Sequence, residues 1–173
     1  MLAPLTLIIL VLIVILVLGG IYITAERIIR HKEREWAFQL KTDRNKAFAP
    51  LKISACERLI VMLERITPTP LVMRQRVSGS TAAMLQLEMM KAIREEFEHN
   101  VSLQMYVSEE CWSAVKHAKE ETTELLKIAF TKVRPESQAI EFSNEVFKLE
   151  AATGNAAIRA AIKAIRADLE NYF

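Results

Sequence analysis

The chain has 173 residues, 51% of them hydrophobic, with 23 Lys and Arg against 21 Asp and Glu and a net charge of +2. It is therefore neither an acidic disordered tail nor a strongly basic nucleic-acid binder. Four glycines, at positions 19, 20, 79 and 154, are too scattered to build a phosphate-cradling loop, and two cysteines and three histidines in no Cys-x-x-Cys or Cys/His spacing make no zinc motif.

Met1 to Ala25 carries no charged side chain, and Leu5 to Thr24 is a nearly unbroken series of Leu, Ile and Val. A hydrocarbon core of about 30 Å needs about 20 apolar residues at helical rise, so this stretch predicts a transmembrane helix. A cleaved secretory signal does not fit: no basic residue precedes the run, the run is too long, and Ile23 sits where a small residue is wanted. Gly20 and Thr24 would allow a second span to approach, although lipid contact satisfies the same face. Arg27, Arg30, Lys32 and Arg34 follow at once, and the positive-inside tendency holds that flank in the cytoplasm. The expected location is the inner membrane, single-pass, with the N-terminus outside and the C-terminal domain in the cytoplasm.

Glu26 to Lys46 carries seven basic and four acidic groups, whereas Ala47 to Phe173 carries 16 and 17. The basic bias is a collar beside the membrane, which implies lipid as a partner and leaves no face-wide footprint for nucleic acid. No breaker ends the span, so its helix is expected to continue as a stalk to about Asn45 and to stop at Pro50, with Ile29, Trp36 and Leu40 sharing a face.

Leu51 to Ile66 places Ala55, Leu59, Met62, Leu63 and Ile66 on one side and Lys52, Glu57, Arg58, Glu64 and Arg65 mostly on others, the pattern of a half-buried helix. The alternating prolines of Thr67-Pro68-Thr69-Pro70 predict an extended course, with Leu71 to Val77 a short strand or ordered loop before Ser78-Gly79-Ser80. Thr81 to about Asn100 reads as a helix capped by Ser80 or Thr81, with Leu85, Met89, Ala92, Ile93 and Phe97 as its apolar stripe. Ser108 looks like the next N-cap, with Glu109 and Glu110 in the first turn and Trp112, Val115, Leu125, Leu126, Ala129 and Phe130 continuing as a stripe until Pro135. Ser137 to Ala152 and Ala156 to Phe173 are two further helices, separated by Gly154 as a C-terminal glycine and Asn155 as a cap.

The organisation expected is all-α: a transmembrane helix over 1–25, a basic juxtamembrane stalk over 26–49 and a small cytoplasmic helical bundle over 50–173. In a reducing compartment Cys56 and Cys111 read as buried thiols, since neither has the companions of a catalytic nucleophile.

Glu96 and His99 form a Glu-x-x-His pair, the spacing used in four-helix di-iron carboxylate proteins. Such a site needs a second pair and two more carboxylates, and neither His31 nor His117 has a Glu three residues before it. Glu96, His99 and Asn100 also suit a buried polar network fixing how one helix meets the next. The last helix shows the clearest periodicity. Ile158, Ala161, Ile162, Ile165, Leu169 and Tyr172 lie on one face, and Ile158, Ile162, Ile165 and Leu169 are the candidate subunit interface if they do not simply close the bundle.

The stretch Leu51-Lys-Ile-Ser-Ala-Cys-Glu-Arg-Leu-Ile-Val-Met-Leu-Glu-Arg-Ile-Thr-Pro, then Leu71-Val-Met-Arg74, then Ile93-Arg-Glu-Glu-Phe-Glu-His-Asn-Val-Ser-Leu-Gln-Met-Tyr-Val-Ser108, with Trp112, Val115, Lys116 and Ala118-Lys-Glu-Glu121, resembles a family of small Bacteroidota proteins classed as a domain of unknown function. The resemblance runs over about residues 51–132 and fits the part beyond Pro135 only loosely. It implies lineage and a shared fold, and it carries no catalytic residue or cofactor. The residues favour a non-enzymatic, membrane-anchored helical adaptor or scaffold that binds itself or partner proteins, as a homo-oligomer or in a larger membrane complex. The alternative is a metal-binding or enzymatic bundle using the Glu95 to Asn100 cluster.

Overall fold

The computed structural model describes Tyr22, Lys46 and residues 48–172. The expected span, apart from Tyr22, and the collar residues Arg27, Arg30, Lys32 and Arg34 lie outside the described residues. Among the described residues no helix is long and apolar enough to cross a membrane. The chain divides into two units, Met1–Phe48 and Ala49–Phe173, and the second holds the core.

That unit is all-α. Its elements are α1 (49–66), α2 (Pro68–Gln75), α3 (Ala82–Asn100), a 3-10 helix (Val101–Tyr106), α4 (Glu109–Thr131), α5 (Ala139–Thr153) and α6 (Ala156–Glu170). The 3.6-residue periodicity read from the sequence becomes the core. Ala55, Leu59, Met62, Leu63 and Ile66 of α1 are buried, as are Leu85, Met89, Ala92 and Ile93 of α3, and Trp112, Val115, Leu126 and Ala129 of α4. Phe142 and Val146 of α5 and Ile158, Ala161 and Ile165 of α6 complete it. Phe97 is half-buried and stacks on Trp112 at 5.4 Å between ring centres, while Phe130 meets Phe142 edge-on at 5.9 Å. Each fully buried Leu, Ile or Phe contributes roughly 2 kcal/mol of transfer free energy.

Two proline expectations are corrected. Thr67 to Pro70 does not run extended into a strand or loop: Pro68 and Pro70 lie in the first turn of α2. The first-turn N–H groups of a helix have no intrahelical acceptor, so proline loses nothing there. Leu71, the first residue whose N–H is needed, donates to Thr67 O at 3.0 Å, and Leu71 and Val72 are fully buried. Pro50 likewise does not end a helix, because residues 48–50 are helical and run on into 51–66.

The turn after α2 closes with the Ser80 N–H donating to Val77 O at 3.2 Å and Gly79 at φ 79°, the left-handed position that glycine fills without strain. Thr81 is the cap of α3, its Oγ1 accepting from Met84 N–H at 3.3 Å. The orphan N–H groups of Ala82 and Ala83 then donate to Ser137 O (2.8 Å) and Pro135 O (3.1 Å), and Ala139 N–H at the start of α5 donates to Ser80 O (3.0 Å). Two helix starts thus satisfy each other's backbone. Ser108 caps α4 by accepting from Cys111 N–H at 3.2 Å. Gly154 ends α5 at φ 58°, and Asn155 follows in the same left-handed region. Asn155 makes no side-chain cap; its Nδ2 donates to Glu150 Oε1 at 2.7 Å instead.

Candidate functional site

Two features of the bundle combine polar chemistry with position. The first is a junction at the C-terminal end of α6. Lys52 Nζ donates to Asp168 Oδ2 at 2.7 Å, with side chains only 12% and 11% exposed. Asp168 Oδ1 accepts from Ser108 N–H at 3.2 Å, Lys52 Nζ also donates to Tyr106 O at 3.3 Å, and Lys52 lies 5.3 Å from the centre of the Tyr172 ring. Burial alone would raise the Asp168 pKa, but the hydrogen bonds from Lys52 and Ser108 and the Lys52 charge outweigh it and hold the carboxyl below its ordinary value.

Cys56 lies one turn from Lys52, and Cys111 one turn from Ser108, so both thiols border this junction. Both are free and buried, as expected. Burial pushes the Cys111 thiol up to about 12, with the Asp168 charge adding to it. Burial also raises Cys56, against the opposing effect of Lys52. Thiols in this state are poor nucleophiles and poor metal ligands. The junction is built to hold helices together.

Sequence reasoning set Lys52 off the buried face and did not single out Asp168. The signal was present. Lys52 precedes Cys56, Leu59 and Leu63 by four, seven and eleven residues, which puts it on the buried stripe of α1, and Asp168 falls between Ile165 and Leu169 on the apolar face of α6. A charge on each apolar stripe is a request for a partner.

The second feature is an open cleft of about 160 Å³ where α2, α4, α5 and the start of α6 meet. Pro68, Leu125, Ile128, Leu149 and Ala157 make its apolar lining, and Glu121 and Glu124 its charged edge. Ile128 is 43% exposed.

The residues expected to act together in the Glu95 to Asn100 cluster are used separately. Glu96 pairs with Arg65 of α1, and the exposed His99 donates from Nδ1 to Glu95 O at 2.9 Å. Asn100 is buried and donates to Glu96 O at 2.8 Å, while Arg58 Nη2 donates to His99 O at 3.4 Å. Among the described residues no side-chain bond joins Glu96, His99 and Asn100 to one another: His99 and Asn100 bond carbonyls of the preceding turn, and Glu96 meets Arg65. Among the described residues no group of three or more His, Cys, Asp or Glu is placed to hold a metal ion.

The face of α6 proposed as an interface is turned inward. Ile158 and Ile165 are buried, and Ile162 and Leu169 are half-buried against the same core. Helix α6 packs extensively against α4. What α6 offers to solvent is its opposite face.

No curated protein and no solved structure matches the chain. A match to the Family of unknown function (DUF7935) covers residues 3–172, well beyond the stretch 51–132 and through the C-terminal helices that were expected to fit only loosely. The chain belongs to that family.

Proposed function

We propose that this protein is a non-enzymatic, membrane-anchored adaptor or scaffold whose helical bundle binds protein partners at the cytoplasmic face of the inner membrane, in a Bacteroidota host as the resemblance over residues 51–132 implies. The observation that carries the reading is the apolar cleft open at the surface between α2, α4 and α6, with acidic side chains along its edge. Such a surface binds by excluding water from an apolar side chain while charge sets the register. The charge-free run over 1–25 and the basic residues Arg27, Arg30, Lys32 and Arg34 support anchoring and orientation. The alternative, metal or enzymatic chemistry at Glu95 to Asn100, draws no support from groups already engaged by Arg65 and by backbone carbonyls.

Extraction of native membranes with alkaline carbonate, combined with a C-terminal reporter active only in the cytoplasm, tests the anchoring. The expected result is a chain retained in the membrane pellet with an active reporter. A chain released to the supernatant, or a reporter active only outside, contradicts it.

A further inference from the structure

The cleft between α2, α4, α5 and α6 has carboxylates at its edge and no Lys or Arg among its lining residues. Glu121 makes no salt bridge among the described residues, and Glu124 meets only the exposed Lys127 of its own helix, at 3.2 Å, a pair that contributes little. Three residues apart on one helix, the two carboxylates are neighbours and form one rim. The size of the cleft narrows what enters it. Its 160 Å³ or so falls short of the roughly 300 Å³ at which ordinary ligand pockets begin and is close to the roughly 150 Å³ apolar cavity that takes a single benzene ring. That is room for one side chain.

The chain itself presents such a side chain beside the opposite charge. Met73, at the end of α2, and Val77, in the turn that follows, are 65% and 67% exposed, and the exposed Arg74 and Arg76 lie between them. No acidic residue occurs from 65 to 87, and neither arginine makes a salt bridge among the described residues. The base of this projection is fixed, because Leu71 and Val72 are fully buried and Arg74 Nη2 donates to Arg65 O at 3.1 Å. An unbranched Met adapts to an irregular gap.

We infer that the cleft takes the Met73 to Val77 projection of a second copy of the chain. Met73 enters among Leu125, Ile128 and Leu149, and Arg74 and Arg76 meet Glu121 and Glu124. None of residues 73–77 lines the cleft, so the contact joins unlike patches, and copies follow one another head to tail until they close into a ring or run on. Anionic lipid suits the two arginines but leaves the acidic, apolar cleft empty; a second copy fills the one and pairs the other. Tethering to one membrane raises the local concentration at which the copies meet. This inference rests on the reading of the chain as an interaction protein and names one partner for it.

The test uses the full chain in mild detergent, with mass by light scattering and helicity by circular dichroism. One variant spoils the projection, Met73→Gln with Arg76→Glu, and leaves Arg74 on its carbonyl. The other spoils the cleft, Glu121→Lys with Ile128→Gln. The expected parent assembles beyond one copy with a Kd that rises with salt. Each variant alone associates at least tenfold more weakly at unchanged helicity. Mixed in equal amounts, the two form pairs and nothing larger, because one supplies an intact cleft and the other an intact projection. A monomeric parent overturns the inference, as does a variant whose association stays within twofold of the parent, or a mixture that gives no pairs or gives larger species. Assembly lost with the cleft variant but kept with the projection variant assigns the arginines to another occupant, anionic lipid included, and also overturns it. Other proteins co-purifying with a monomeric parent leave the adaptor reading standing, whereas their absence with a monomeric parent removes both.

Discussion

Lys52 Nζ donates to Asp168 Oδ2 at 2.7 Å across 116 positions of sequence, fastening α1, which opens the bundle, to α6, which closes it. The other carboxylate oxygen takes the Ser108 N–H. One side chain near the end of the unit thereby holds an early helix and the start of a middle one. The pair is mostly removed from water, so its attraction is little screened, and losing either member leaves a charge without its partner.

Asp168→Asn is expected to lower the stability of the full chain in detergent at pH 7 by about 2 kcal/mol, seen as a fall in Tm. Because folding lowers the Asp168 pKa, its contribution is complete above the unfolded carboxylate value, about pH 4. It fades as pH falls through the still lower folded value. Thermal scans should show the gap between parent and variant shrinking below about pH 4. A gap that stays constant through that range contradicts the assignment.

The thiols give a second readout of the same junction. With Cys111 pushed up to about 12, its thiolate fraction at pH 8 is on the order of one in ten thousand, and both thiols are buried. Labelling with an alkylating reagent should be slow in the native chain and prompt in denaturant. Asp168→Asn should speed it about tenfold by favouring local opening. Rapid stoichiometric labelling of the native parent would contradict the burial.

Gly154→Ala tests the α5–α6 turn. At φ 58° a Cβ is strained, and it would sit 3.3 Å from Arg159 Nη2, the end of a side chain that can move aside. The cost expected is therefore mainly backbone, about 1 kcal/mol in chemical denaturation. No measurable loss would show that the turn relaxes out of the left-handed region.

The inward and outward faces of α6 separate by substitution. Ile165→Ala empties a fully buried site and is expected to cost about 3 kcal/mol, whereas Lys163→Ala should change stability by less than about 0.5 kcal/mol. Equal losses at the two positions would contradict the assignment of faces.

Helix identities and buried stripes were legible because they depend on local periodicity, and the caps at Thr81 and Ser108 because a hydroxyl there meets a free N–H three residues on. The α2 segment was misread by weighing proline as a breaker without asking where in a helix it would fall. Lys52 and Asp168 were legible only as oddities, since their meaning depends on two stripes meeting across 116 residues, which no local pattern encodes. The Glu-x-x-His spacing was legible, but not that Arg65 of another helix pairs with Glu96. For the same reason periodicity found the apolar face of α6 and could not say that α4 already covers it.

The central claim, a membrane-anchored interaction protein, is tested most directly by cross-linking the tagged full chain in intact cells, then measuring its complexes after purification from the membrane fraction. The account predicts that the chain is in that fraction and cross-linked into species larger than one copy, whose other members are identified by mass spectrometry. A chain found only in the soluble fraction, or only as single copies without cross-linked partners, would contradict it.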